Sequence, residues 1–122
     1  MEENDMDMFK KCLLNIFAID EDFKTDTVSF ALGEVFYMEM LYDKALFFFS
    51  LNYRNGCLNK DQSLYFIAKI YVKIKSYSKA LLTIQKYTTL KPADPKGFYL
   101  SGKINYMMKD FKQSLKLFEL VL

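Results

Sequence analysis

The sequence contains no histidine and no tryptophan, and only two cysteines, two prolines and four glycines among its 122 residues. Without histidine, Cys12 and Cys57 cannot form any of the usual zinc sites. We interpret both as buried or half-buried free thiols in a reducing compartment. Glu39 and Asp43 flank a predicted turn and are expected to be solvated, and four glycines form no phosphate-binding loop. The sequence therefore favours a protein that is not an enzyme and that holds no metal or cofactor.

A long hydrophobic segment is also missing. The apolar run around Phe47, Phe48 and Phe49 is far too short to cross a bilayer. The first residues are acidic, whereas a signal peptide begins with a basic flank. These features predict an intracellular protein of the cytoplasm or nucleus that does not associate with a membrane.

The chain is rich in hydrophobic and aromatic residues, which form the core of a folded domain. Hydrophobic residues make up 52% of it and aromatic residues 17%, which excludes a disordered chain. Its length is that of an ordinary domain, long enough to bury a core without disulfides or metal.

Charge is distributed unevenly along the chain. Residues 1–26 hold eight acids and three lysines, a net charge of −5, and the rest carries +7, which leaves +2 overall. The sequence thus has an acidic leader and a basic body. Arg54 is the one arginine among seventeen bases, and an AT-rich genome explains the lysine bias better than a functional role does. With a calculated pI near 8.4, nucleic-acid binding is disfavoured.

Residues 61–94 carry the most informative spacing. Small and apolar residues stand there at fixed intervals: Leu64, Ile67, Ala68, Tyr71, Ala80, Ile84 and Pro92. This spacing resembles the W-x2-L-G-x2-Y…A-x3-F…P pattern of the tetratricopeptide repeat (TPR).

The spacing recurs on both sides of that stretch. The next 34 residues place Phe98, Gly102, Ser114 and Phe118 in register, with Ser101 and Asn105 where leucine and tyrosine are usual. One inserted residue brings the preceding stretch into register, with these matches: Leu32, Gly33, Phe36, Tyr42, Ala45 and Phe49.

The resemblance implies an all-α fold, a right-handed superhelical solenoid of three TPR helix pairs preceded by one N-terminal helix. The expected divisions are residues 1–25 for the acidic leader with its amphipathic helix, 26–60 for the first repeat, 61–94 for the second and 95–122 for an incomplete third without a capping helix. Paired helices approach closely where small residues meet, as at Gly33 with Ala45, Ala68 with Ala80 and Gly102 with Ser114. The apolar end favours a fragment of a longer solenoid over self-association.

Periodicity and capping signals place the helices. We predict them over residues 5–18, 26–40, 43–53, 60–74, 77–90 and 111–122, with a further helix beginning at Pro95. Asn4 or Asp5 should cap the leader helix, and an Asn55-Gly56 pair should end the third helix. The later N-caps are expected at Asn59, Ser76, Asp94 and Asp110.

TPR proteins commonly bind peptides in a groove lined by the first helix of each pair. Transferred by register, the lining positions are Thr27, Phe30, Glu34, Tyr37, Gln62, Tyr65, Lys69, Val72, Lys96, Tyr99, Lys103 and Tyr106. Aromatic residues at helical spacing are as often core as contact surface, so both interpretations stay open. As a surface, the tyrosines would supply rigid contact area and the lysines would pair with acids of a partner.

Two functional hypotheses follow from the pattern. Residues 42–47, 64–71 and 77–80 resemble the N-terminal repeats of TPR subunits of the anaphase-promoting complex, which homodimerise by clasping a leading helix. In that case Phe9, Leu13 and Phe17 of one protomer would enter the groove of another, although the same helix could instead pack on its own first repeat. The alternative is a monomeric adaptor or chaperone, similar in layout to class II type III secretion chaperones, that binds a partner peptide.

Overall fold

The structure is a computed structural model that describes residues 2–19, 27–56 and 59–121, with side chains at 5–18, 28–56 and 59–121. This described part contains seven α-helices and no β-strand. The helices are α1 (Glu2–Ile19), α2 (Thr27–Met38), α3 (Tyr42–Arg54), α4 (Lys60–Lys73), α5 (Tyr77–Leu90), α6 (Pro95–Met107) and α7 (Phe111–Val121). The prediction of an all-α fold is confirmed. Cys57 and most of the expected linker at 20–25 lie outside the described residues.

Most helix boundaries agree with those predicted from periodicity. The predicted bounds of α2, α3, α4, α5 and α7 agree with the observed ones within about two residues, the usual scatter of boundary assignments. The leader helix is longer than predicted, because α1 begins at Glu2. Asn4 and Asp5 therefore lie inside the helix, and the prediction that one of them caps it is wrong.

The capping signals have mixed outcomes. Gly56 has a φ of 66°, the left-handed conformation expected after α3. Asp94 caps α6, its carboxylate accepting a hydrogen bond from the Lys96 amide at 3.0 Å, and Asp110 accepts one from the Gln113 amide at 3.2 Å. Ser76 stands at the N-cap of α5, yet its side chain makes no capping hydrogen bond.

The helices form two compact units, Met1–Ser63 and Leu64–Leu122. In the first unit α2 packs against α3, and Leu32, Ala45 and Phe49 are fully buried. Gly33 makes this close packing possible, since a Cβ there would lie 2.7 Å from Cε1 of Phe49. The small residue at Gly33 therefore accommodates a phenylalanine ring of the facing helix.

Hydrogen bonds between buried side chains link α2, α3 and the first turn of α4. Asn52 of α3 donates from Nδ2 to the Ser29 hydroxyl of α2 at 3.1 Å, and its Oδ1 accepts from the Ser63 hydroxyl of α4 at 2.8 Å. All three side chains are fully buried. Because buried polar groups need partners, Asn52 holds these side chains together within the first unit, which ends at Ser63.

The leader helix packs on its own repeat. Phe17 meets Phe48 of α3 edge to face, with ring centroids 5.2 Å apart, and Leu13 is buried. Lys10 Nζ lies 2.8 Å from Glu39 Oε1. Phe9 and Cys12 are exposed, which corrects the expectation that Cys12 is at least half buried. Of the two arrangements open from the sequence, these contacts match packing of α1 within its own chain.

The second unit repeats the pairing with α4 to α7. Ile70, Ile84 and Ile104 are fully buried. The predicted close approach of Gly102 and Ser114 is confirmed, because the Ser114 hydroxyl donates to the Gly102 carbonyl oxygen at 2.8 Å. No helix in the described ranges has the length and hydropathy required to span a membrane.

Candidate functional site

The predicted groove positions of the first unit are largely packed. Phe30 is buried, with its ring centroid 5.5 Å from that of Phe49, so it is a core residue and offers no accessible contact surface. Tyr37 is half buried against Tyr42, and burial raises the pKa of the half-buried Glu34 carboxyl. The side chain of Thr27 lies outside the described residues. This unit therefore contributes little free aromatic surface at the predicted positions.

In the second unit, α4 and α6 bring lysines onto a tyrosine ring. Lys96 Nζ lies 5.0 Å from the ring centroid of Tyr65, and Lys69 Nζ lies 5.6 Å from the same centroid. Both distances are within the range of cation–π attraction. Sequence spacing predicted each residue separately, and the fold places them together.

More lysines surround this pair. The pKa of Lys69 is lowered chiefly by burial and further by the positive charges of Lys73, Lys103 and Lys96. Lys103 is exposed and makes no ion pair with any described residue, whereas Lys96 lies 3.9 Å from the Asp94 carboxylate. Repulsion among like charges makes this site more favourable for an anion.

Tyrosine completes the surface. Tyr99 is 52% exposed, although its ring also packs on Phe118 at 5.8 Å. The pKa of Tyr65 is raised by burial first, and then by the Asp94 carboxylate and by Tyr99. We use the term lysine–tyrosine face for Tyr65, Lys69, Lys96, Tyr99 and Lys103.

Tyr106 lies at the far end of α6. It is 58% exposed, and its ring packs edge to face on Phe111 at 5.5 Å. It therefore belongs to an aromatic pair with the first residue of α7, about one turn of helix beyond Lys103.

A cleft in this unit was not predicted. It is a cleft of about 330 Å³ between α5, α6 and α7, lined by Leu81, Gln85, Thr88, Phe98, Ser101, Asn105, Gln113 and Leu117. The available signal was the departure from the repeat pattern at Ser101 and Asn105. Both residues are buried at the floor of the cleft, whereas Gln85 and Gln113 are exposed at its rim.

The two surfaces offer different chemical groups. Among the described residues, no three histidine, cysteine, aspartate or glutamate side chains cluster in a way that could hold a metal ion. The lysine–tyrosine face offers cations, aromatic rings and one carboxylate, that of Asp94, at its edge. Such a surface suits an acidic polypeptide segment with apolar side chains.

Sequence comparison finds no match to a protein-family model or to a curated protein. By structure, the chain is similar to the crystal structure of MamA, with a TM-score of 0.85 over 98% of this chain and 68% of that one. MamA is a TPR-like helical repeat protein, and the two sequences are 13% identical. The likeness shows the fold alone, a TPR-like all-α helical repeat.

Proposed function

We propose that this protein is a non-catalytic interaction module that binds an acidic segment of a partner protein on its lysine–tyrosine face. The observation that carries the proposal is the convergence of Lys69, Lys96 and Lys103 beside Tyr65 and Tyr99. A helical repeat fold of this kind is suited to such work because it presents several helices side by side.

Each component of the face has a role in binding. Lys103 is exposed and attracts carboxylates of the partner, which speeds association at low salt. The exposed half of Tyr99 supplies rigid contact area at low entropic cost. Tyr65 is half buried, its ring lies 5.4 Å from that of Tyr87, and the ammonium groups of Lys69 and Lys96 lie near it, so the ring is held in place.

Charge reversal tests the proposal. The double substitution Lys96→Glu and Lys103→Glu should weaken binding of a fluorescent peptide of alternating glutamate and phenylalanine by tenfold or more, measured by anisotropy. The matched control reverses Lys112 and Lys116, two exposed lysines of α7, and should change the Kd less than about twofold.

An equal loss of binding in the two double variants would contradict the proposal. If both double variants weaken binding to the same degree, attraction depends on net charge alone and the face has no specific role. Raising the salt concentration should weaken binding to the parent protein and have less effect on the Lys96/Lys103 variant.

Homodimerisation and membership of the anaphase-promoting complex stay predictions from the residue pattern. A clasp would require α1 to leave Phe48 and Glu39, which it contacts within its own chain. For that reason we favour the peptide-binding adaptor. Light scattering over a range of concentrations separates the two, since the adaptor is expected to be a monomer and the clasp a dimer that dissociates on dilution.

A further inference from the structure

The cleft between α5, α6 and α7 is lined by residues at which the third repeat departs from the other two. Counted from the small residue of the second helix, Phe36, Tyr71 and Asn105 occupy the same position in the three repeats. The first two have rings there, whereas the third has a short amide. The cleft exists where that ring is missing.

A second position changes together with the first. In the first repeat Lys44 Nζ lies 5.5 Å from the ring centroid of Phe36, and in the second Lys79 Nζ lies 6.0 Å from that of Tyr71. The third repeat has Gln113 at the lysine position. A ring with its cation is thus replaced by two amides, Asn105 and Gln113, both of which line the cleft.

The floor of the cleft is polar and ordered. Asn105 donates from Nδ2 to the Ser101 carbonyl oxygen at 2.9 Å, and no hydrogen bond from the described residues reaches its Oδ1. Ser101 is 7% exposed and stands where the other repeats have Leu32 and Ile67, so the floor lacks a second large side chain. An acceptor therefore lies in a cleft lined by Ser101 and Asn105, two positions at which the other repeats carry a large apolar side chain and a ring.

The walls are apolar. Leu81, Phe98 and Leu117 are half buried around the opening. A volume of about 330 Å³ is at the lower end of ligand pockets and suits one aromatic side chain. An aliphatic side chain would leave the Asn105 oxygen without a donor, whereas a phenol supplies one.

We infer that this cleft is a second binding site, which accepts a tyrosine side chain from a partner polypeptide. The ring replaces the one that repeats 1 and 2 carry internally, and its hydroxyl donates to the amide oxygen at the floor. The site lies apart from the lysine–tyrosine face, because Ser101 and Asn105 point to a different side of α6 from Tyr99 and Lys103 at 3.6 residues per turn. Loss of one site should leave the other intact.

The probe is N-acetyl-tyrosinamide, titrated into the full chain while the side-chain amide resonances of Asn105 and Gln113 are followed by NMR. We expect saturable shifts with a Kd on the order of 1 mM, typical of so small a ligand. N-acetyl-leucinamide should give no saturation. Equal binding of the two probes, or shifts that avoid these amides, would overturn the inference.

A substitution that fills the cleft with a larger side chain of the protein itself tests whether the probe binds there. Asn105→Tyr places a ring where the second repeat has one and should weaken probe binding at least tenfold. If this variant folds poorly, Ser101→Leu is used in its place and should weaken binding to the same degree. Lys116→Ala, on an exposed part of α7, is the control and should bind as the parent does. Unchanged binding in a folded cleft-filling variant refutes the site.

A capped Ala-Ala-Tyr-Ala-Ala peptide tests whether the cleft accepts a tyrosine within a polypeptide or only a free small molecule. It should bind at least as tightly as the single amino acid, because the opening is lined by exposed Gln85 and Gln113 that tolerate a flanking backbone. If the peptide fails while the amino acid binds, the cleft serves a free small molecule, and the assignment to a partner polypeptide is wrong.

Discussion

The first and third repeats build the same helix pair and fill it differently. In the first, Phe49 is fully buried and Phe36 stacks on Phe48 at 5.6 Å with an interplanar angle of 8°. In the third, the residue equivalent to Phe49 is Phe118, which is only half buried, and an open cleft stands where the stacked pair would be. Helix placement therefore requires only the small residues and the ring beside them, and the remaining positions can be used for binding.

The largest loss of stability is expected when the equivalent rings, Phe49 and Phe118, are removed. Phe49→Ala should lower the free energy of unfolding by about 3–5 kcal/mol, because a fully buried ring leaves a cavity. Phe118→Ala should cost about 1–2 kcal/mol, since part of that ring is already in contact with water. Urea denaturation followed by circular dichroism measures both, and equal losses would show that the two repeats are equally well packed.

The buried polar residues of the second helices offer a second comparison. Asn52 and Tyr87 occupy equivalent positions, seven residues after the alanine of each repeat. Asn52→Ala should cost about 2–3 kcal/mol, because both of its buried partners lose a hydrogen bond. Tyr87→Phe loses the hydrogen bond to the Asp94 carboxylate, a charged but partly exposed acceptor, and should cost about 1.5 kcal/mol. Thermal unfolding gives the order, and a reversed order would mean that Asn52 is dispensable.

The two glycines at the helix crossings differ in how far their neighbours can move. A Cβ at Gly33 would lie 2.7 Å from Phe49, and one at Gly102 would lie 2.7 Å from Phe118. Alanine at either position gains up to about 1 kcal/mol of helix propensity. At Gly33 the enclosed ring cannot yield, so overpacking of about 1–3 kcal/mol outweighs that gain. At Gly102 the partly exposed ring can shift, and we expect a net change near zero; a large loss there would show that Phe118 is as fixed as Phe49.

The smallest expected effect concerns pH. Hydrogen bonds from Tyr87 and from the Lys96 amide lower the pKa of Asp94, the first being the larger cause. An acid whose pKa is lower in the folded state stabilises fully above its unfolded pKa, about 3.9, and loses that contribution as the pH falls through the folded value. In the first repeat Asn52, the equivalent of Tyr87, bonds to two serine hydroxyls, which do not titrate in this range.

Asp94→Asn keeps a good N-cap and removes the charge. It should lower stability by at most about 1 kcal/mol at pH 7, and the difference should shrink as the pH falls through the lowered pKa of Asp94. Melting temperatures of the parent and the variant across this range are the measurement. A difference that persists unchanged at low pH would assign the effect of Asp94 to capping and not to its charge.

Individual residues explain which features were predictable. Asp94-Pro95 and Gly56 are local signals, because a cap or a left-handed residue acts within one turn of helix, and both were found as expected. Phe30 could not be distinguished from an exposed aromatic by spacing alone, since only the position of Phe49 determines that it is buried. The additional residues of α1 before Asp5 were missed because a run of acids carries no hydrophobic periodicity.

The sequence by itself determined the fold class, because small residues at fixed spacing permit two helices to pack closely and one repeat implies the next. It also determined most helix ends, which depend on neighbours within a few residues. The lysine–tyrosine face and the cleft were decided only by tertiary structure. Each depends on side chains from separate helices, such as Tyr65 with Lys96 and Leu81 with Asn105. Their distances are set by how those helices pack, which no single stretch of sequence specifies.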